Sequence, residues 1–169
     1  MKNLYQAVAD NDLKAVKNAF AVCPQDAAGA LENAAELGLD AIVRFLVRRG
    51  VRHEWAVVNA ARFGHLRTVR FLLKNAGGNL KAAFIAAAAH NRPDVVRFLF
   101  KSVPELPLNE ALADAALKGF AEIVGFLLKK GADPHARVYA GQTAFSLAQK
   151  AGRENVLKLL EKYRNARGQ

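Results

Sequence analysis

Four histidines and one cysteine are the side chains of this 169-residue sequence best suited to metal binding or nucleophilic chemistry. A zinc site needs several such ligands at short fixed spacing, typically two histidines one helical turn apart with a carboxylate in reach. His53, His65, His90 and His135 are instead scattered, and no His-x-x-x-His pair occurs. The spacing predicts no metal site, and an ordinary polar turn residue accounts for His65 and His90. Cys23, followed by Pro24, has no histidine near it in sequence to draw off its proton, so it reads as a small apolar residue at a helix end. The hydroxyl nucleophiles are Thr68, Ser102, Thr143 and Ser146, none of them in a Gly-x-Ser-x-Gly elbow. No Gly-rich phosphate loop is present. The expectation is a protein that is not an enzyme and takes no metal or cofactor.

The elements that carry these residues belong to a folded chain. Hydrophobic residues make up 52% and charged residues 24%, far from a disordered composition. A single cysteine permits no intrachain disulfide. The longest charge-free apolar run, 82–89, falls short of the ~18 residues of a membrane span. Asp10, Asn11 and Asp12 break the N-terminal apolar pattern before it reaches the length of a secretory leader. Together these features predict a cytoplasmic protein without membrane association. The net charge of +10 is unevenly spread. Residues 1–52 hold 7 basic and 6 acidic side chains, 53–106 hold 8 and 3, and 107–169 hold 10 and 6, so the last two thirds carry nearly all of the excess.

Self-comparison reveals a repeat. Segments 34–50, 60–77, 87–102 and 115–133 align without gaps over a shared core: an Ala-Ala pair, a Gly or Asn, then an apolar helix. The Gly or Asn positions are Asn11, Gly38, Gly64, Asn91, Gly119 and Gly152, separated by 27, 26, 27, 28 and 33 residues. Gly and Asn suit the left-handed residue that ends a helix. Offsets +4, +5, +7 and +8 from each turn are apolar, as in Ile42, Val43, Phe45 and Leu46, which is one face of a helix. Thr68 interrupts this pattern. Seven residues before each turn stand Leu4, Leu31, Val57, Phe84, Leu112 and Phe145, the matching core contact of the first helix. The pattern predicts six helix-turn-helix units in one domain, at about 2–26, 27–52, 53–79, 80–106, 107–140 and 141–163, followed by a basic tail, 164–169.

The stretch GADPHARVYAGQTAFSLA at 131–148 resembles the ankyrin-repeat family, whose pattern runs from a Gly-Ala-Asp finger to Gly-x-Thr-Pro-Leu-His-x-Ala. Gly141, Thr143, Phe145, Ser146 and Ala148 stand at corresponding places; Ala144 replaces the proline and Ser146 the histidine, and the first five units lack the tetrad. The resemblance implies an all-α, ankyrin-type helical solenoid. An ordinary repeat runs ~33 residues including a projecting finger. Steps of 26 to 28 leave no room for one, so a single finger is expected near 131–142.

Two rows of side chains are candidate binding surfaces. Beside the turns stand Leu37 and Leu39, Phe63 and His65, His90 and Arg92, Lys118 and Phe120, and Arg153. The family resemblance implies that this row lines a concave, partner-binding face. Asn33, Asn59 and Asp114, with Gln6, add hydrogen-bonding groups from the first helices, and Tyr139 adds an amphipathic ring on the finger. Exposed aromatic, aliphatic and Arg side chains are the types that anchor interfaces. The second row is basic: Arg44, Arg70, Arg97 and Lys158 at offset +6, and Arg48, Lys74, Lys101 and Lys129 at +10. It predicts a positive stripe on the convex side, suited to an acidic partner or nucleic acid, although cations near helix C-termini are also favoured by the macrodipole. No aromatics are expected to interleave with that stripe. The leading expectation is a monomeric protein-recognition module that binds, and inhibits, anchors or escorts, another protein, with nucleic acid as the alternative ligand.

Overall fold

The computed structural model describes residues 3–167, and the side chains of residues 3–163. The predicted basic tail thus lies outside the described side chains. Among the described residues, twelve α-helices follow one another as six helix-turn-helix pairs: α1 (Leu4–Ala9) with α2 (Leu13–Val22), α3 (Ala27–Glu36) with α4 (Asp40–Arg48), α5 (Ala56–Phe63) with α6 (Leu66–Asn75), α7 (Leu80–Ala89) with α8 (Pro93–Ser102), α9 (Leu108–Lys118) with α10 (Ala121–Lys129), and α11 (Ala144–Lys150) with α12 (Glu154–Arg167). No strand occurs among the described residues. Packing divides the chain into two compact units, Met1–Ala83 and Phe84–Gln169, with the boundary inside α7. In the first, α3 packs on α1 and α5, and α4 on α2 and α6. In the second, α9 packs on α11, and α10 on α8 and α12.

Local chemistry starts several of these helices. The carboxamide oxygen of Asn3 accepts from the Gln6 amide at 2.7 Å, and the Asp12 carboxylate from the Ala15 amide at 2.9 Å. Thr143 and Ser146 form a reciprocal capping box at the start of α11. Pro93 occupies the first turn of α8, where its missing N–H leaves no bond unmade.

All six predicted turn residues adopt positive φ, from 52° at Asn11 to 85° at Gly119. The eight alanines of the Ala-Ala pairs are 0% exposed, which is what lets neighbouring first helices approach closely. Leu4, Leu31, Val57, Phe84 and Leu112 are likewise fully buried, and only Phe145 of that set is half-buried. On the second helices of the last five pairs the +4 and +8 positions are buried, and in the first pair Ala19 is buried while Ala15 is half-buried. The +7 phenylalanines Phe45, Phe71, Phe98 and Phe126 are half-buried, because they sit at the edge of the apolar stripe rather than its centre. Thr68, the break in the pattern, is 1% exposed, and its hydroxyl donates to the Asp40 carboxylate of the preceding pair at 2.6 Å. A buried hydroxyl is tolerated there because it is satisfied.

The 131–142 finger is present as a hydrogen-bonded loop: the Val138 amide donates to the Gln142 carbonyl at 2.8 Å, around a short 3₁₀ turn at Tyr139–Gly141. Its base is tied to α9, since the Asp133 amide donates to the Asn109 side chain at 2.8 Å.

The turn at Gly38 is crowded as well as left-handed. A Cβ there would lie 2.5 Å from Nδ1 of His65, whereas at Gly152, with similar φ, nothing lies within 4 Å. Gly152→Ala is expected to destabilise by about 1 kcal/mol, the left-handed penalty alone. Gly38→Ala is expected to cost more, and His65→Ala in the same chain to remove the excess. Denaturant melts of the two single variants and the double variant measure this coupling.

Candidate partner-binding surface

The row of turns splits by position into two kinds of side chain. Residues just before the turn point outward: Leu37 is 47% and Phe63 38% exposed, and His90 and Lys118 are also exposed. Residues just after it, Leu39, His65, Arg92 and Phe120, are half-buried. His65 shows why, since its Nε2 lies 2.8 Å from the Glu36 carbonyl. Arg153 follows its turn too and is exposed, yet it reaches back likewise, its Nε donating to the Leu117 carbonyl at 3.0 Å. Both acceptors are late carbonyls of the preceding pair's first helix, which lack an intrahelical donor. These side chains therefore cap the neighbouring turn while lining its surface.

Around the turn of α5 and α6, the Phe63 and His65 rings stack with centroids 6.5 Å apart, and the Arg62 guanidinium lies 5.6 Å from the Phe63 ring. A groove of about 420 Å³ opens at the turn of the last pair, lined by Lys118, Arg153, Glu154 and Asn155. His90 Nδ1 bonds to the Ala86 carbonyl of its own helix at 2.9 Å.

Of the polar residues of the first helices, Asn33, Asn59 and Asp114 are half-buried, while Gln6 is exposed and donates to the Asp10 carboxylate at 3.0 Å. Asn59 donates to Glu32 at 3.1 Å, beside His53 at 3.6 Å from the same carboxylate, while Asn33 is not joined to them by a side-chain hydrogen bond. Asp114 accepts from the Tyr139 hydroxyl at 3.3 Å, so the finger folds back onto α9. Burial raises the Asp114 carboxyl above its usual range, with the Tyr139 hydrogen bond and the Lys118 and His90 charges opposing. Burial and the neighbouring Asp114 and Glu110 charges push the Tyr139 phenol up to about 12.

On the second-helix face the aromatic rings do interleave with the cations, against expectation. The Arg44 guanidinium lies 4.5 Å from the Phe71 ring, and Arg97 5.9 Å from Phe126. The +7 phenylalanines fall at the edge of the apolar stripe, next to the +6 cations, which the sequence spacing already contained. Arg44, Arg48, Arg70 and Lys74 line one groove between α4 and α6. Arg97 pairs with Glu122 at 2.8 Å, Lys129 lines a separate cleft beside Tyr163, and Lys101 and Lys158 are exposed. Sequence reasoning missed Arg52 and Arg67, which complete the first groove. Arg67 carried a signal: it puts a cation in the first turn of α6, where α4, α8, α10 and α12 each carry Asp or Glu.

Among the described residues no group of three or more His, Cys, Asp or Glu side chains is arranged to hold a metal ion, and no helix is long and apolar enough to cross a membrane.

The pairing of helices about left-handed turns defines a helical-repeat protein, and comparison with known families identifies the repeat. Three overlapping matches to the ankyrin-repeat model cover 31–110, 57–138 and 84–167, and the chain belongs to the ankyrin-repeat family. Ankyrin repeats are protein–protein interaction modules, a binding fold and not a catalytic one. The chain is 47% identical over 57 residues to the E3 ubiquitin-protein ligase XBAT33 of Arabidopsis thaliana, covering 34% of this chain and 11% of the ligase. It is 33% identical over 96 residues to the ankyrin repeat domain-containing protein SAT10 of Stachybotrys chartarum, covering 53% of this chain and 5% of that protein. The chain thus matches only a small part of each of these longer relatives.

The finger contact has a spectroscopic signature. In a spectrophotometric titration one of the three tyrosines is expected to ionise near 12, and Tyr139→Phe to remove that step. Asp114→Asn should bring the midpoint down toward 10, without restoring it fully because burial remains. The phenol's raised value means that stability is lost as pH climbs past the unfolded value near 10 and toward 12.

Proposed function

We propose that this chain recognises a partner protein through its turn face, with the outward residues before each turn as anchors, and that holding the partner there inhibits, anchors or escorts it. The observation that carries the reading is the exposure of Leu37 and Phe63, 47% and 38%, on successive turns of the first unit. Large apolar side chains left in water at regular spacing carry a solvation cost that burial against a partner relieves. Their surroundings suit an interface: His65 stacks on Phe63, and Arg62 lies beside it. In the second unit Lys118, Phe120 and Arg153 occupy the equivalent places, and Tyr139, 45% exposed, adds a ring on the finger. The ankyrin family supports protein as the ligand class. The chain acts as a monomer in this reading, since a heterologous partner fills the face.

A partner identified by mass spectrometry after capture from the native host supplies the ligand for the decisive measurement. Leu37→Ala and Phe63→Ala are each expected to weaken its affinity by about tenfold or more while leaving helicity and melting behaviour intact. Unchanged affinity in a folded double variant would exclude the turn face as the site.

A further inference from the structure

We infer that the groove between α4 and α6 is a binding site for a compact anion bearing several phosphates. The groove has a volume of about 690 Å³ and is lined by Arg44, Arg48, Arg52, Arg67, Arg70 and Lys74, with no carboxylate in its lining. Even without Arg70, Arg44, Arg48, Arg52, Arg67 and Lys74 put five like charges around one groove, where they repel one another, and a fold keeps such an arrangement at a cost to its own stability. The cost is not explained by helix ends. Arg48 and Lys74 lie in last turns, where the macrodipole favours them, but Arg67 lies in the first turn of α6, where it opposes the dipole. Violations of local rules of this kind concentrate at functional sites.

The groove is also partly organised in advance. Arg52 Nη1 donates to the Val47 and Val51 carbonyls, both at 2.9 Å, which fixes the guanidinium and leaves its Nη2 and Nε donors over. Arg44 is held over the Phe71 ring at 4.5 Å. Five of the six cations are arginine, whose planar fork of donors matches phosphate oxygens in pairs.

The distribution of charge selects a compact ligand over an extended strand. In the second unit the same helix face is interrupted: Gly125 stands where a +6 cation would, and Arg97 is paired with Glu122 at 2.8 Å. A nucleic-acid backbone needs a continuous track of cations to release its counterions. Clustered phosphates, on a soluble inositol polyphosphate, a short polyphosphate or a phosphoinositide headgroup, need only one dense site. This site is separate from the turn face, and its test does not depend on the partner-binding reading.

Isothermal titration of the full chain at about 150 mM salt, with inositol hexakisphosphate, tripolyphosphate and orthophosphate as probes, tests the site. The expected result is saturable binding of the first two at one site per chain, at least a hundredfold tighter than orthophosphate. Arg44→Gln with Arg67→Gln should weaken it at least tenfold, and Arg48→Gln with Lys74→Gln is a second pair should the first fail to fold. Both pairs should melt at or above the parent temperature without ligand, since repulsion is relieved, and Phe63→Ala should leave binding unchanged. Phosphatidylcholine vesicles doped with phosphatidylinositol bisphosphate separate the sources: sedimentation with them assigns a lipid headgroup, and its absence beside hexakisphosphate binding assigns a soluble anion. The inference is overturned by no binding of either polyphosphate, by equal binding to the folded charge variants, or by tighter binding of duplex DNA or poly-glutamate.

Discussion

Every helix pair must reverse direction through a single left-handed residue, and the rest of the structure follows from what that reversal leaves undone. Closing the turn so tightly strips the last carbonyls of the first helix of their intrahelical donors. Solvent can serve some of them, but His65 and Arg153 show a further solution, a side chain lent by the next pair. That donor must lie directly after its own turn to reach back, and the receiving turn must be bare. Gly38 beneath His65 and Gly119 beneath Arg153 satisfy that second condition. The buried Ala-Ala pairs then set the short distance between first helices at which such a reach is possible. Backbone geometry, small core residues and the capping side chains form one mutually dependent arrangement, consistent across levels in the way that specifies a single fold.

This dependence divides the turn face by exposure. A side chain placed after the turn is drawn toward the preceding pair, and one placed before it has no such neighbour. Leu37 and Phe63 are consequently exposed, and Leu39 and His65 half-buried, although all four types are ordinary interface formers. The exposed row of side chains on the turn face is thus a by-product of how orphan carbonyls are satisfied.

The repeat, its turn residues and its fully buried positions were legible in the sequence because they depend on local chemistry recurring at fixed spacing. Asn11 and Gly119 announce a left-handed residue by type alone, and the Ala-Ala pairs announce close packing. What escaped depends on which neighbour a side chain meets. Thr68 looked like a fault in an apolar stripe until Asp40, 28 residues earlier, proved to be its partner. Phe71 occupies the apolar +7 offset, yet its ring lies half open beside Arg44. The convergence of Arg52 and Arg67 on one groove joins a residue beyond the end of α4 to one at the start of α6, so no single-helix periodicity could display it. Register within a unit is a property of sequence; juxtaposition between units is a property of packing.

The finger shows how the same economy shapes recognition. A projecting loop normally carries the freedom that lets a binding surface adapt, and also the ordering entropy lost when it does. Here the loop is held at its base by Asn109 and at its tip by Asp114, with its own Val138–Gln142 bond between. The raised pKa of Tyr139 keeps the tip's donor protonated above pH 10, where an ordinary phenol ionises. With one tethered finger and short junctions elsewhere, each unit offers a ligand side chains already mounted on helices and tight turns. In the proposed mode of binding little backbone remains to be ordered, so affinity would rest on the few exposed side chains, and truncating one of them would not be compensated by loop rearrangement.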